Sequence, residues 1–192
     1  MKLTLRALTG ASLAVLASAA HAHTGQGHEF TLMAGASHPL FGLDHLLAML
    51  AVGLWAAQQG GRARFWVPAA FVFSMMAGSV LGYAGIAMPA VETGIALSVL
   101  VFGLLTARCA RLPLAVGMVV TAAFALLHGH AHGMEAPANS AFWLYGLGFV
   151  ASTALLHGLG YVVGSQLNAR AQMWLRIGGG VIASAGLWML AA

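Results

Sequence analysis

Leu127-His128-Gly129-His130-Ala131-His132-Gly133-Met134-Glu135 closes a long apolar run and carries three of the chain's nine histidines and one of its four acidic residues. On a helix, at about 100° per residue, His128, His132 and Glu135 share one face (i, i+4, i+7) while His130 points away. Imidazoles and a carboxylate at the end of an apolar segment are costly unless they are paired or bind something. Together they suit a borderline divalent metal such as Ni, Co, Zn or Cu. The plainer alternative is a hydrogen-bonded histidine cluster near a membrane surface. Helical spacing of the three groups, and a second motif described below, favour the metal.

The composition around this stretch sets the fold class. Of 192 residues, 60% are hydrophobic and 6% are charged, whereas a soluble domain has roughly 25% charged residues. A surface so poor in charge faces lipid, and the chain reads as an all-α integral membrane protein. The formal charge of +4 comes from 8 Lys+Arg against 4 Asp+Glu. The basic residues are scattered over short loops and form no patch, so nucleic-acid binding has no support. A single cysteine, Cys109, excludes an internal disulfide and a thiolate-type metal site. The 25 glycines lead us to expect close helix–helix packing.

Residues 1–22 read as a cleaved signal peptide: Lys2 and Arg6 are the basic start, Ala7–Ala17 a short apolar core, and Ala20-His21-Ala22 an A-x-A cleavage site. Its alternative is an uncleaved first membrane helix. Residues 23–37, with His23, His28 and Glu29, are expected to form a periplasmic N-terminal arm; the amine and imidazole of His23 could chelate a metal together, or the arm could simply be solvated. Residues 38–192 form the expected six-helix transmembrane domain, with segments near 38–57, 65–84, 88–106, 112–134, 141–164 and 172–191. Each is close to the ~20 residues that cross a bilayer. Arg62, Arg64, Arg108, Arg111, Arg170 and Arg176 fall in or beside the first, third and fifth loops, and the second and fourth loops hold no Lys or Arg. The positive-inside rule puts the odd loops in the cytoplasm and both mature termini in the periplasm of a bacterial inner membrane. The pairs Gly78/Gly82, Gly129/Gly133 and Gly160/Gly164 fit tight helix crossings.

The second motif, His38-Pro39-Leu40-Phe41-Gly42-Leu43-Asp44-His45, opens the first membrane segment. Pro39 is expected in the first turn of that helix, where no amide donor is needed. On one continuous helix His38 and His45 share a face, about 10 Å apart along the axis. Asp44 is the only carboxylate in that segment, and a carboxylate at that depth needs a cation or a partner. With antiparallel first and fourth helices as neighbours, His38 and Glu135 form an outer rung, His45 and His128 a deeper one, and His132 falls between. Glu92, at the start of the third segment, either completes the site or is hydrated. His157, in the fifth, is either a later stop on an ion path or a packing histidine.

The patterns H-x5-D-H at His38–His45 and x-H-G-x-A-H-G-x-E at Leu127–Glu135, in this order with a signal and six helices, resemble the HupE/UreJ family of nickel/cobalt permeases. The likeness spans essentially the whole chain; the family has Phe where this chain has Leu127, an apolar exchange. The resemblance implies metal roles for His38, Asp44, His45, His128, His132 and Glu135; His130, like His23, His28, Glu92 and His157, is a weaker metal candidate read from the residues themselves. It also implies Ni²⁺ or Co²⁺ as the transported ion, no permanently bound cofactor, and a link to hydrogenase or urease maturation. The expected function is therefore uptake of a divalent ion from periplasm to cytoplasm. No H-E-x-x-H or G-x-S-G motif supports an enzyme. A membrane metal sensor or metallocentre-assembly factor, binding without transport, is the alternative. No nucleotide-binding motif is present, so the driving force must come from the ion gradient, the membrane potential or a partner.

Overall fold

Pro39 lies near the end of a helix and not at its start. In the structure, a computed structural model that describes residues 31–136, 141–166 and 172–192, helix α1 runs from Leu32 to Phe41. Thr31 caps it, its Oγ1 accepting from the Ala34 amide at 3.1 Å. Pro39 cannot donate to the carbonyl four residues back, and its ring crowds the preceding turn. The helix ends two residues later. Gly42 takes an extended conformation (φ −78°, ψ 108°) and donates its amide to the His38 carbonyl. Helix α2, Leu43–Gln59, then departs at 80° to α1. The continuous helix expected over residues 38–57 is thus a broken pair that begins at Leu32. The expected signal peptide, His23, His28 and Arg170 lie outside the described residues.

The other elements are α3 (Ala63–Tyr83), α4 (Val91–Ala107), α5 (Leu114–Glu135), α6 (Ala141–Ser165) and α7 (Gln172–Ala191). No strand occurs among the described residues. Helices α3, α5, α6 and α7 are each long and apolar enough to cross a membrane, and the bent α1–α2 pair counts as a fifth crossing if taken as one span. Helix α4 is apolar but has only 17 residues, about 25 Å of helix. Large apolar side chains such as Phe73, Val119, Leu147, Leu155 and Val181 are exposed on the outward faces. In water such surface would drive association; around a bundle of apolar helices it faces lipid. The chain is a multi-pass membrane protein.

Glycines decide which helices touch. The closest pairs are α3 with α5, α4 with α7, α2 with α6 and α1 with α6. Between α3 and α5, a Cβ added at Gly78 or Gly82 would run into the carbonyls of Leu126 or His130, and one at Gly129 or Gly133 into those of Met75 or Ser79. Backbones this close replace the hydrophobic driving force that lipid does not supply. Gly53 of α2 meets the His157 backbone of α6, and Gly35 of α1 meets Tyr145. The first and fourth expected segments, α2 and α5, are therefore not the closest neighbours: α6 lies against one and α3 against the other.

The two ends of the bundle differ. At one end, Trp55 Nε1 donates to the Ala110 carbonyl at 2.7 Å, and Gln59 exchanges hydrogen bonds with Leu112. Arg176 donates to the Ala107 carbonyl there. Arg62, Arg64, Arg108 and Arg111 flank these same helix ends. The histidine motifs are at the other end.

Candidate metal centre

The break at Gly42 folds His38 back over the first turn of α2. Its ring centroid is 5.8 Å from that of His45 and 4.7 Å from that of His132. One ring nitrogen from each of His38, His45 and His132 can be chosen so that all three lie within 4.8 Å of one another. Nitrogens bound to one ion at about 2.1 Å stand about 3 Å apart, so a modest closure brings this trio onto a metal. His45 is fully buried, and His132 nearly so.

Local structure fixes the rings. Asp44 lies in the first turn of α2, where the helix dipole favours an anion. Its Oδ1 accepts from the His45 amide at 2.7 Å and from His45 Nδ1 at 2.8 Å. With the proton of neutral His45 held on Nδ1, Nε2 carries the lone pair. That Nε2 stands 2.7 Å from His132 Nε2, which therefore donates in the metal-free state; an ion in the gap displaces that proton. Gly42 leaves room for the pair, since a Cβ there would come 3.1 Å from Asp44 Oδ1 and 3.3 Å from His45 Nδ1.

His128 lies one turn inward from His132, its ring 4.7 Å from that of His45. Its Nε2 is 2.8 Å from Ser98 Oγ, and Ser98 Oγ donates to the Ile95 carbonyl. The serine thus accepts from His128, which assigns the proton of neutral His128 to Nε2. His130 faces away from this group, as its helical phase requires, and its Nε2 donates to the Ile86 carbonyl at 2.7 Å. Glu135 and Glu92 are exposed at helix ends, outside the converging trio. His157 is buried in α6 beside Phe71, deeper in the bundle.

Sequence reasoning missed the aromatic and hydroxyl surroundings. Phe149 of α6 packs its ring 4.3 Å from that of His132, and also faces His45 and His38. Tyr145, one turn outward, is 6.1 Å from His38. Phe71 faces His128 at 5.6 Å. Only the i, i+4 spacing of Tyr145 and Phe149 hinted at a common face. A cavity of about 230 Å³ between α3 and α6 reaches His132, lined chiefly by apolar groups such as Met75, Val80, Phe142 and Phe149. Such chiefly apolar walls offer a hydrated cation few oxygen ligands.

A sequence model of the HupE / UreJ protein family matches residues 11–189 of the chain. The chain is also similar to Protein HupE of Rhizobium leguminosarum bv. viciae, with 48% identity over 191 residues and 99% of each chain covered. No solved structure matches it.

Proposed function

Because the chain belongs to the HupE/UreJ family, we propose that it is an inner-membrane permease carrying a divalent transition ion, Ni²⁺ or Co²⁺, from the outer side to the cytoplasm. The observation that carries this reading is the convergence of His38, His45 and His132 at the end of the bundle remote from Arg62, Arg64, Arg108 and Arg111. Three imidazoles suit nickel, cobalt or zinc and give little purchase to hard Mg²⁺ or Ca²⁺.

The ion reaches the outer end, loses part of its water shell and is taken by the three rings. Asp44 supplies negative charge across the His45 ring, through its hydrogen bond to Nδ1, and Glu135 and Glu92 enrich cations near the outer face. Neutral ligands bind with an affinity from which the ion can also leave, as conduction demands. His128 receives the ion one helical turn, about 6 Å, further in. An inside-negative potential assists a doubly charged ion by about 4.6 kcal/mol per 100 mV. The cargo would serve maturation of nickel or cobalt enzymes, as the resemblance to the family implies.

The test is metal flux into proteoliposomes holding the purified chain. Uptake of Ni²⁺ or Co²⁺ that needs His132 is the expected result. Stoichiometric binding with no flux under any gradient would favour a sensor or assembly factor instead.

A further inference from the structure

Helix α6 presents Tyr145, Phe149, Thr153 and His157 at four-residue intervals towards the middle of the bundle. Phe149 covers the histidine trio, and Thr153 Oγ1 donates to Met75 Sδ at 3.8 Å. His157 follows two turns beyond Phe149, about 12 Å inward. Helix α2 gives the same depth by a separate route. Gly53, which meets the His157 backbone, is eight residues past His45, again about 12 Å.

His157 is 3% exposed, and neither of its ring nitrogens has a hydrogen-bond partner among the described residues. A buried imidazole at this depth ordinarily finds a carbonyl or hydroxyl for at least its N–H. Its ring meets the edge of Phe71 at 5.0 Å, and Phe71 also faces His128 at 5.6 Å. One aromatic ring, fully buried, thus stands between the innermost histidine of the outer group and this orphaned one. Further inward, the buried Thr121 Oγ1 and Gln58 Oε1 also lack partners among the described residues. Gln58 belongs to the arginine-flanked end, where its Nε2 donates to the Thr106 carbonyl at 3.1 Å.

We propose that His157 is an inner binding station for the divalent transition ion, separated from His45, His128 and His132 by the Phe71 ring. The inference rests on the transport reading above and adds to it a second site and a gate. Rotation of the Phe71 side chain would let the ion leave His128 for an imidazole whose nitrogens are not committed elsewhere. Met75 offers a soft sulfur in the same stretch. Thr121 and Gln58 oxygens would stand in for lost water ligands until the ion meets solvent on its way out. With the ring in place, outer and inner sites are not open to each other, which limits leakage of smaller ions.

The experiment uses the full chain in proteoliposomes, with Ni²⁺ and Zn²⁺ as probes, and compares wild type with His157→Gln and His157→Cys in a Cys109→Ser background. The Gln variant is expected to lose about tenfold or more in Ni²⁺ flux, while equilibrium Ni²⁺ binding, carried by the outer trio, changes little. The Cys variant, which restores a soft ligand, should regain flux and raise the Zn²⁺-to-Ni²⁺ flux ratio; a packing role would leave that ratio unchanged. Wild-type flux in the Gln variant, or an unaltered ratio in an impaired Cys variant, overturns the proposal. If the Gln variant does not fold, the flux ratio of the Cys variant decides alone. Failure of the parent reading has a different signature, since wild type itself would then carry no metal.

Discussion

His45 and His132, from helices α2 and α5, bring their Nε2 atoms to 2.7 Å across 87 residues of chain. Neither helix packs closely on the other; α2 is held by α6, and α5 by α3. The contact is made by side chains alone and depends on both neighbouring interfaces. Its chemistry follows from one proton. With His45 Nδ1–H committed to Asp44, the shared proton between the rings belongs to His132, and an ion entering the gap must replace it.

Removal of either ring should therefore weaken metal binding sharply. His45→Ala and His132→Ala are each expected to lower Ni²⁺ affinity by about 10- to 100-fold. The double variant should lose much less than the product of the two, because both rings serve one site. Calorimetric titration in detergent measures this, and fully additive losses would mean separate sites.

Asp44 acts through His45. Asp44→Asn keeps an oxygen that can accept from His45 Nδ1, so it should bind Ni²⁺ better than Asp44→Ala, which keeps none. A carboxylate bound directly to the ion would instead be lost equally in both variants. The comparison is one of affinities, with thermal unfolding as a control for the fold.

Proton competition sets the pH response. Ligation needs the neutral ring, so protons compete with the ion for the same nitrogen lone pairs. Uptake should therefore rise with pH across the range in which histidine changes charge, about pH 5 to 8. A flat rate between about pH 5 and 8 would exclude histidine ligation.

The α3–α5 glycines hold His128 and His132 in place. Gly129→Val would drive a side chain into the Met75 carbonyl and is expected to cost about 1–3 kcal/mol of stability, read as a lower melting temperature. His130→Ala removes the bond to Ile86, about 1 kcal/mol, and adds the cost of a cavity where a buried ring was packed. It should leave Ni²⁺ affinity unchanged.

Part of this candidate site's geometry was legible in the chain. Helical phase separated His130 from His128 and His132, and five of the six apolar segments marked helices to within a few residues. The seven-residue spacing of His38 and His45 misled, because it assumed one continuous helix. Pro39 and Gly42 are the ordinary signals of a break, but the direction of an 80° bend is set by α6, through the close approaches of Gly35 to Tyr145 and Gly148 to Leu32. Such long-range packing has no local signature. The same holds for His132, expected between two rungs and found with His38 and His45, and for Ser98 and Phe149, whose types are too common in apolar helices to stand out. Asp44 was expected beside the ion; its adjacency to His45 in sequence allowed a hydrogen bond to the ring, but only the helix start at Leu43 makes that geometry.

The most direct measurement is uptake of Ni²⁺, Co²⁺ and Zn²⁺ into proteoliposomes by wild type, His45→Ala and His132→Ala under an inside-negative potential. The account expects wild type to accumulate Ni²⁺ or Co²⁺ and both variants to lose that flux while remaining folded. Wild-type protein that binds these ions but moves none of them, or variants that transport as well as wild type, would contradict it.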